Sequence, residues 1–230
     1  MKKKFEAEYL AFTGRWHVLI MLGLLAAACV IAFFLSALIW QVGIMIAPIL
    51  SMGMLCFMDY FTFSGTNSKK SKGMEVLRSS PRGGEVLYTA LKQDVINKSL
   101  FNLLVTVFIV TVIIIDRSVS GITEFEDSNL FIIAYGIAAF ATGQVLIRLT
   151  LLLTRSKGLT MQVHMLIVYL IFFAGTLIMI PLIFLTETHS LPIMCAYAAV
   201  MEIFSVLTGK WLISSCRKAY EAQFYDETIM

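Results

Sequence analysis

Hydrophobic and polar positions alternate along this chain in long blocks, without the short period of strands. The first apolar stretch runs from Val18 to Phe63 with few interruptions. At about 46 residues it is twice the roughly 20 that cross a bilayer once, so it must fold back on itself. Trp40-Gln41-Val42-Gly43 is the only place to turn, which predicts helices at about 18–40 and 43–64. Pro48 is expected to kink the second, and Met45, Met52, Met54 and Met58 make it rich in methionine. A polar segment follows at 65–98. Four more apolar helices are predicted at 99–115, about 129–153, about 161–182 and about 193–213. They are separated by an acidic loop (Asp116, Glu124, Glu126, Asp127), a turn marked by Arg155 and Lys157, and a short loop with Glu187, His189 and Pro192. A polar tail occupies 214–230. The pattern describes an all-α polytopic membrane protein with six transmembrane helices, residues 1–230 forming one transmembrane domain.

The lead segment, 1–16, has its own pattern. Phe5, Tyr9, Phe12 and Trp16 recur at steps of four, three and four, which places four aromatics on one face of a helix beside Lys2, Lys3, Lys4, Glu6 and Glu8. That arrangement suits an amphipathic helix lying in the membrane interface. It is not a signal peptide, because the apolar run after it far exceeds the roughly 7–15 residues of a signal sequence.

Composition narrows the function. The chain is 59% hydrophobic and 14% charged, with a mean hydropathy of +0.84, so six spans leave no room for a soluble enzyme domain of about 100 residues. Charge sets orientation. With the amino terminus inside, 17 of the 18 basic residues fall on cytoplasmic segments or the adjoining helix ends, and Arg117 alone lies outside. The positive-inside rule then places both termini in the cytoplasm. Cys29, Cys56, Cys195 and Cys216 are widely spaced, which argues against disulfides or zinc and for buried small hydrophobes. The sequence contains no HExxH or G-x-S-x-G, and its basic residues follow the membrane face, so neither intramembrane hydrolysis nor nucleic-acid binding is indicated.

The 65–98 segment carries more structure than a turn requires. Gly73 to Arg78 can form a short helix, Ser79-Ser80-Pro81 interrupts it, and Gly83-Gly84 opens a second helix with Glu85 in its first turn. A helix, a break and a helix are therefore expected before the third span. With its interfacial helix and two preceding spans, this layout resembles the small permease subunits of type-2 ABC exporters. The shared elements read here as Gly73, Glu75, Leu77, Ser80-Pro81, Arg82 and Glu85. The resemblance implies that this is a coupling helix seated in a groove of a separate cytosolic ATPase subunit, with Glu75, Leu77, Arg78, Ser80, Pro81, Arg82 and Glu85 as contacts. It also implies that six spans are half a transport pathway, completed by a second copy or a paired permease. No G-x-x-x-x-G-K-[ST] occurs in the chain, so ATP and magnesium are expected on the partner and none of the catalysis here. Compact loops are further similar to permeases of amphipathic-peptide exporters, including those for phenol-soluble modulins. A non-transporting membrane interaction or immunity protein, and an ion-coupled secondary transporter, are the alternatives.

Charged groups inside spans are costly and mark function first. Asp59 and Arg148 are expected at similar depths on the cytoplasmic side, where they could pair; Arg148 could instead snorkel to headgroups. Gln144, one turn from Arg148, suggests a polar interior stripe. Glu202 falls near the middle of the last span beside Ala198, Ala199, Ser205 and Gly209, a small-residue face suited to helix packing. It is read either as a cavity carboxylate or as a hydrogen-bonded structural group.

Overall fold

The computed structural model describes residues 15–38, 40–61, 80–120, 129–155, 159–187 and 191–226. Among them every regular element is a helix. Helix α1 spans Arg15–Leu38, α2 Trp40–Asp59, α3 Gly83–Ser120, α4 Asn129–Arg155, α5 Met161–Glu187 and α6 Leu191–Asp226. Trp40-Gln41-Val42-Gly43, expected to form the turn, is instead the first turn of α2, which continues through Pro48. Four helices are long and apolar enough to cross a membrane among the described residues: α3, α4, the Met161–Ile178 part of α5 and the Leu191–Lys218 part of α6. α1 carries a shorter apolar stretch, Leu19–Ile31.

Two expectations are corrected. The second helix of the polar segment and the third span are one element: α3 runs 38 residues without a break. Nothing between Glu85 and Ser120 is Gly or Pro, so no residue disfavours the helix where hydropathy changes. Likewise the tail expected after residue 213 is helical to Asp226, because no Gly or Pro follows Gly209.

α4 is the centre of the bundle. It packs on α2, α3, α5 and α6, whereas α5 packs on α2 and α4, and α6 on α4 with a lesser contact to α3. Of the apolar window of α4, 78% is buried, against 22% for α5 and α6. Its composition explains this: Ala134, Gly136, Ala138, Ala139, Ala141 and Gly143 let neighbouring backbones approach closely. A Cβ at Gly136 would lie 2.5 Å from Val110 Cγ2, and one at Gly143 2.8 Å from Asn102 Nδ2. The α3–α4 seam is polar as well as close. Asn102 Nδ2 donates to the Phe140 carbonyl at 3.0 Å, and Ser99 Oγ donates to Gln144 Oε1 at 2.7 Å. Between α4 and α6, the Thr142 and Tyr197 hydroxyls meet at 2.9 Å.

The outer faces define an apolar belt. On α3 the exposed side chains are Glu85, Tyr88 and Lys92, then apolar from Ile96 to Ile115 but for Thr111, until Asp116 is exposed. Those nineteen steps cover about 28 Å, matching the roughly 30 Å hydrocarbon core of a bilayer. On α6 the exposed apolar side chains extend from Ile193 to Trp211, about 27 Å, with Lys210 at the border.

Candidate functional site

One end of the bundle gathers four charges that water does not reach. Asp59 is the last residue of α2, Asp94 and Lys98 lie one turn apart on α3, and Arg155 ends α4. None is more than 2% exposed. Lys98 Nζ donates to Asp59 Oδ1 at 3.1 Å and to Asp94 Oδ2. Arg155 Nε donates to Asp59 Oδ2 at 2.9 Å, while its Nη2 donates to Asp59 Oδ1 and Asp94 Oδ2. Two cations thus each bridge the same two carboxylates, and three helices are joined in a neutral box. Charges buried this deeply persist because each is paired and hydrogen-bonded. The border of the apolar belt on α3 falls between Lys92 and Ile96, so the box sits at that border.

α5 joins the same end through His164, fully buried, whose Nε2 lies 3.0 Å from the Cys56 carbonyl oxygen of α2. A carbonyl can only accept, so this nitrogen carries the proton. The Tyr60 ring packs edge-on against the imidazole with centroids 5.4 Å apart. Cys56 and Cys216 are buried near the box, Cys29 is half-buried, and all four cysteines are free. Cys195 is exposed, contrary to the expectation that all would be buried.

The expected pairing of Asp59 with Arg148 does not form. Asp59 is the last residue of α2, and its carboxylate bonds Arg155, two turns and about 10 Å along α4 from Arg148. Arg148 is half-buried and turned to α6, where Nη1 donates to the Ser205 carbonyl. Gly209 packs against the guanidinium: a Cβ there would stand 3.2 Å from Nη1. Gln144 faces α3 instead, also donating to the Ser99 carbonyl at 3.3 Å, so the two residues do not form one polar stripe. Glu202 is half-buried on α6, within electrostatic range of Arg148. Of its small neighbours, Ala198, Ser205 and Gly209 are buried, and Ala199 is exposed.

Of the coupling set, Glu75, Leu77 and Arg78 lie outside the described residues, as do Phe5, Tyr9 and Phe12 of the amino-terminal set. Trp16 belongs to the first turn of α1. Ser80, Pro81 and Arg82 are exposed in a tight turn closed by the Gly83 amide donating to the Ser80 carbonyl at 2.9 Å. The Val86 amide then donates to the Arg82 carbonyl at 3.1 Å, and Glu85 is exposed in the first turn of α3, where an acidic side chain favours the helix dipole.

Sequence reading missed Asp94, Lys98 and Arg155, assigning the first two to a solvated segment and the third to a turn. Their one available signal was the four-residue Asp94–Lys98 spacing of a helical ion pair. Comparison with protein-family models, curated proteins and solved structures finds no match.

Proposed function

We propose that this chain is the permease subunit of an ATP-driven ABC exporter in the bacterial cytoplasmic membrane. In this reading it crosses the bilayer six times with both termini in the cytosol. Its substrate is apolar or amphipathic, such as a peptide toxin or antimicrobial peptide, moved outward. ATP is hydrolysed, with magnesium, on a separate cytosolic ATPase subunit, and a second permease completes the pathway.

The observation that carries this reading is the continuity of α3. One helix leads from the exposed Ser80–Arg82 turn through the apolar belt, and at the border it is tied to α2 and α4 by the charge box. A push on the turn by a closing ATPase dimer has no flexible link in which to dissipate. It reaches Lys98, and the box passes it to Asp59 and Arg155, so α2, α3 and α4 move as one body. Breaking the box in each cycle would leave buried charges unpaired at several kcal/mol apiece. That cost favours motion around the box over motion through it. It also disfavours an ion-coupled cycle through Asp59, because both carboxylate oxygens already hold cationic partners.

The test is purification from native membranes with the ATPase encoded beside this chain, combined with ATP-driven efflux of an amphipathic peptide in vesicles. Pro81→Ala and Arg82→Glu are expected to abolish ATPase capture while the permease still reaches the membrane. Recovery with no nucleotide-binding partner, or efflux driven by a proton or sodium gradient without ATP, would overturn the proposal.

A further inference from the structure

Buried hydroxyls on the helices of this bundle follow one habit. Thr106, Thr142, Thr150, Thr154 and Thr208 each donate to the carbonyl four residues back along their own helix, at 2.8–2.9 Å. Ser205 breaks it. Its side chain is fully buried on the face of α6 that packs on α4, yet Oγ makes no hydrogen bond among the described residues. A serine hydroxyl that leaves its own helix carbonyl unused is free to serve another group.

The side chain that reaches Ser205 from α4 is incomplete in the same way. Arg148 Nη1 donates to the Ser205 carbonyl, and the guanidinium lies over Gly209, where a Cβ would stand 3.2 Å from Nη1 and 3.4 Å from Cδ and Cζ. Fixed at both points, the side chain keeps its Nε buried and without an acceptor among the described residues. A guanidinium nitrogen only donates, so what Nε lacks is an oxygen. Glu202 carries one nearby. It precedes Ser205 by three residues, on the same face of α6, and its charge acts on Arg148. Even so, it makes no ion pair or hydrogen bond among the described residues. Cation and carboxylate are close enough to interact and are not in contact.

The balance of charge decides what fits between them. A cation would meet Arg148 and an anion would meet Glu202, so the occupant is neutral, and it must accept from Nε and donate to the carboxylate. Water has this chemistry, and a buried water is held by about two to four polar partners. We infer that Arg148 and Glu202 form a solvent-separated ion pair, in which one bound water accepts from Arg148 Nε and from the Ser205 hydroxyl and donates to the Glu202 carboxylate. The three orphan groups are then satisfied together, and Arg148 keeps its bond to the Ser205 carbonyl. The site stands whatever the chain transports.

Solid-state NMR of the full chain in lipid bilayers, with isotopically labelled arginine and magnetisation transferred from water, tests this. The Arg148 Nε signal is expected to build up as fast as that of Arg82, which is exposed. Arg155 is the dry standard: it is buried and its Nε already donates to Asp59 at 2.9 Å, so its signal should lag. Ser205→Ala removes only the hydroxyl and is expected to abolish the fast transfer at Arg148 while leaving Arg82 unchanged. An Arg148 signal that lags with Arg155 in the unaltered protein, or one that Ser205→Ala does not slow, would overturn the inference. Both readouts are made without the ATPase, so the exporter reading stands or falls separately.

Discussion

Two of the helix seams in this bundle hold charge, and they are built differently. Between α2, α3 and α4, Asp59, Asp94, Lys98 and Arg155 are buried, balanced in sign and tied to one another. Between α4 and α6, Arg148 and Glu202 are half-buried; Arg148 donates to a backbone carbonyl, and its Nε has no partner among the described residues. The first arrangement resists change, since moving any one member strands the others. The second can exchange partners at little cost. Within one small protein, then, charge serves as a fastener in one seam and remains adjustable in the next.

The sharpest way to break the comparison is Arg155→Ala. It leaves two buried carboxylates sharing Lys98 and is expected to cost about 3–5 kcal/mol, seen as loss of folded protein from membranes or a lowered melting temperature in detergent. Lys98→Met alone should cost a similar amount. Adding Asp94→Leu to it should restore stability to within about 1 kcal/mol of the parent, because a buried pair replaced by apolar groups of similar size is often neutral. If the double variant is no better than the single, the box is not a set of interdependent pairs. Next in size, Gly143→Ala places a methyl 2.8 Å from Asn102 Nδ2. It should cost about 1–3 kcal/mol by the same melting assay, as overpacking does elsewhere. The smallest effect is expected from Glu202→Gln, about 0.5 kcal/mol or less in stability. Its informative readout is efflux: reduced transport with unchanged melting supports an adjustable site, and unchanged transport removes Glu202 from the functional residues.

Much of the helix layout was legible in the chain because apolar blocks of spanning length are hard to place otherwise. The expected 129–153 and 161–182 helices lie within Asn129–Arg155 and Met161–Glu187. The box was not legible, for a physical reason. Hydropathy averages over a window, and Asp94 and Lys98 sit among Glu85, Lys92 and Gln93, where two more charges read as further solvated loop. The absence of Gly and Pro from 85 to 120 signalled one helix across the polar and apolar blocks. That signal was outweighed by the change in polarity, although backbone propensity rather than polarity decides where a helix ends. Asp59 was expected to pair with Arg148, and its bonding to Arg155 instead turns on a shift of about two turns along α4, finer than a hydrophobic pattern places a helix. Element ends are the least determined feature of a hydrophobic pattern.

The length of α3 has a further consequence once the box is taken as a fulcrum. From Gly83 to Asp94 the helix projects eleven residues, about 16 Å, on one side. From Lys98 to Ser120 it extends twenty-two residues, about 33 Å, on the other. A stiff rod pivoted there is a seesaw with arms in a ratio of about one to two. If α2, α3 and α4 tilt together about the box, a sideways displacement of about 1 Å at the exposed Ser80–Arg82 turn swings the far end of α3 by about 2 Å in the opposite direction.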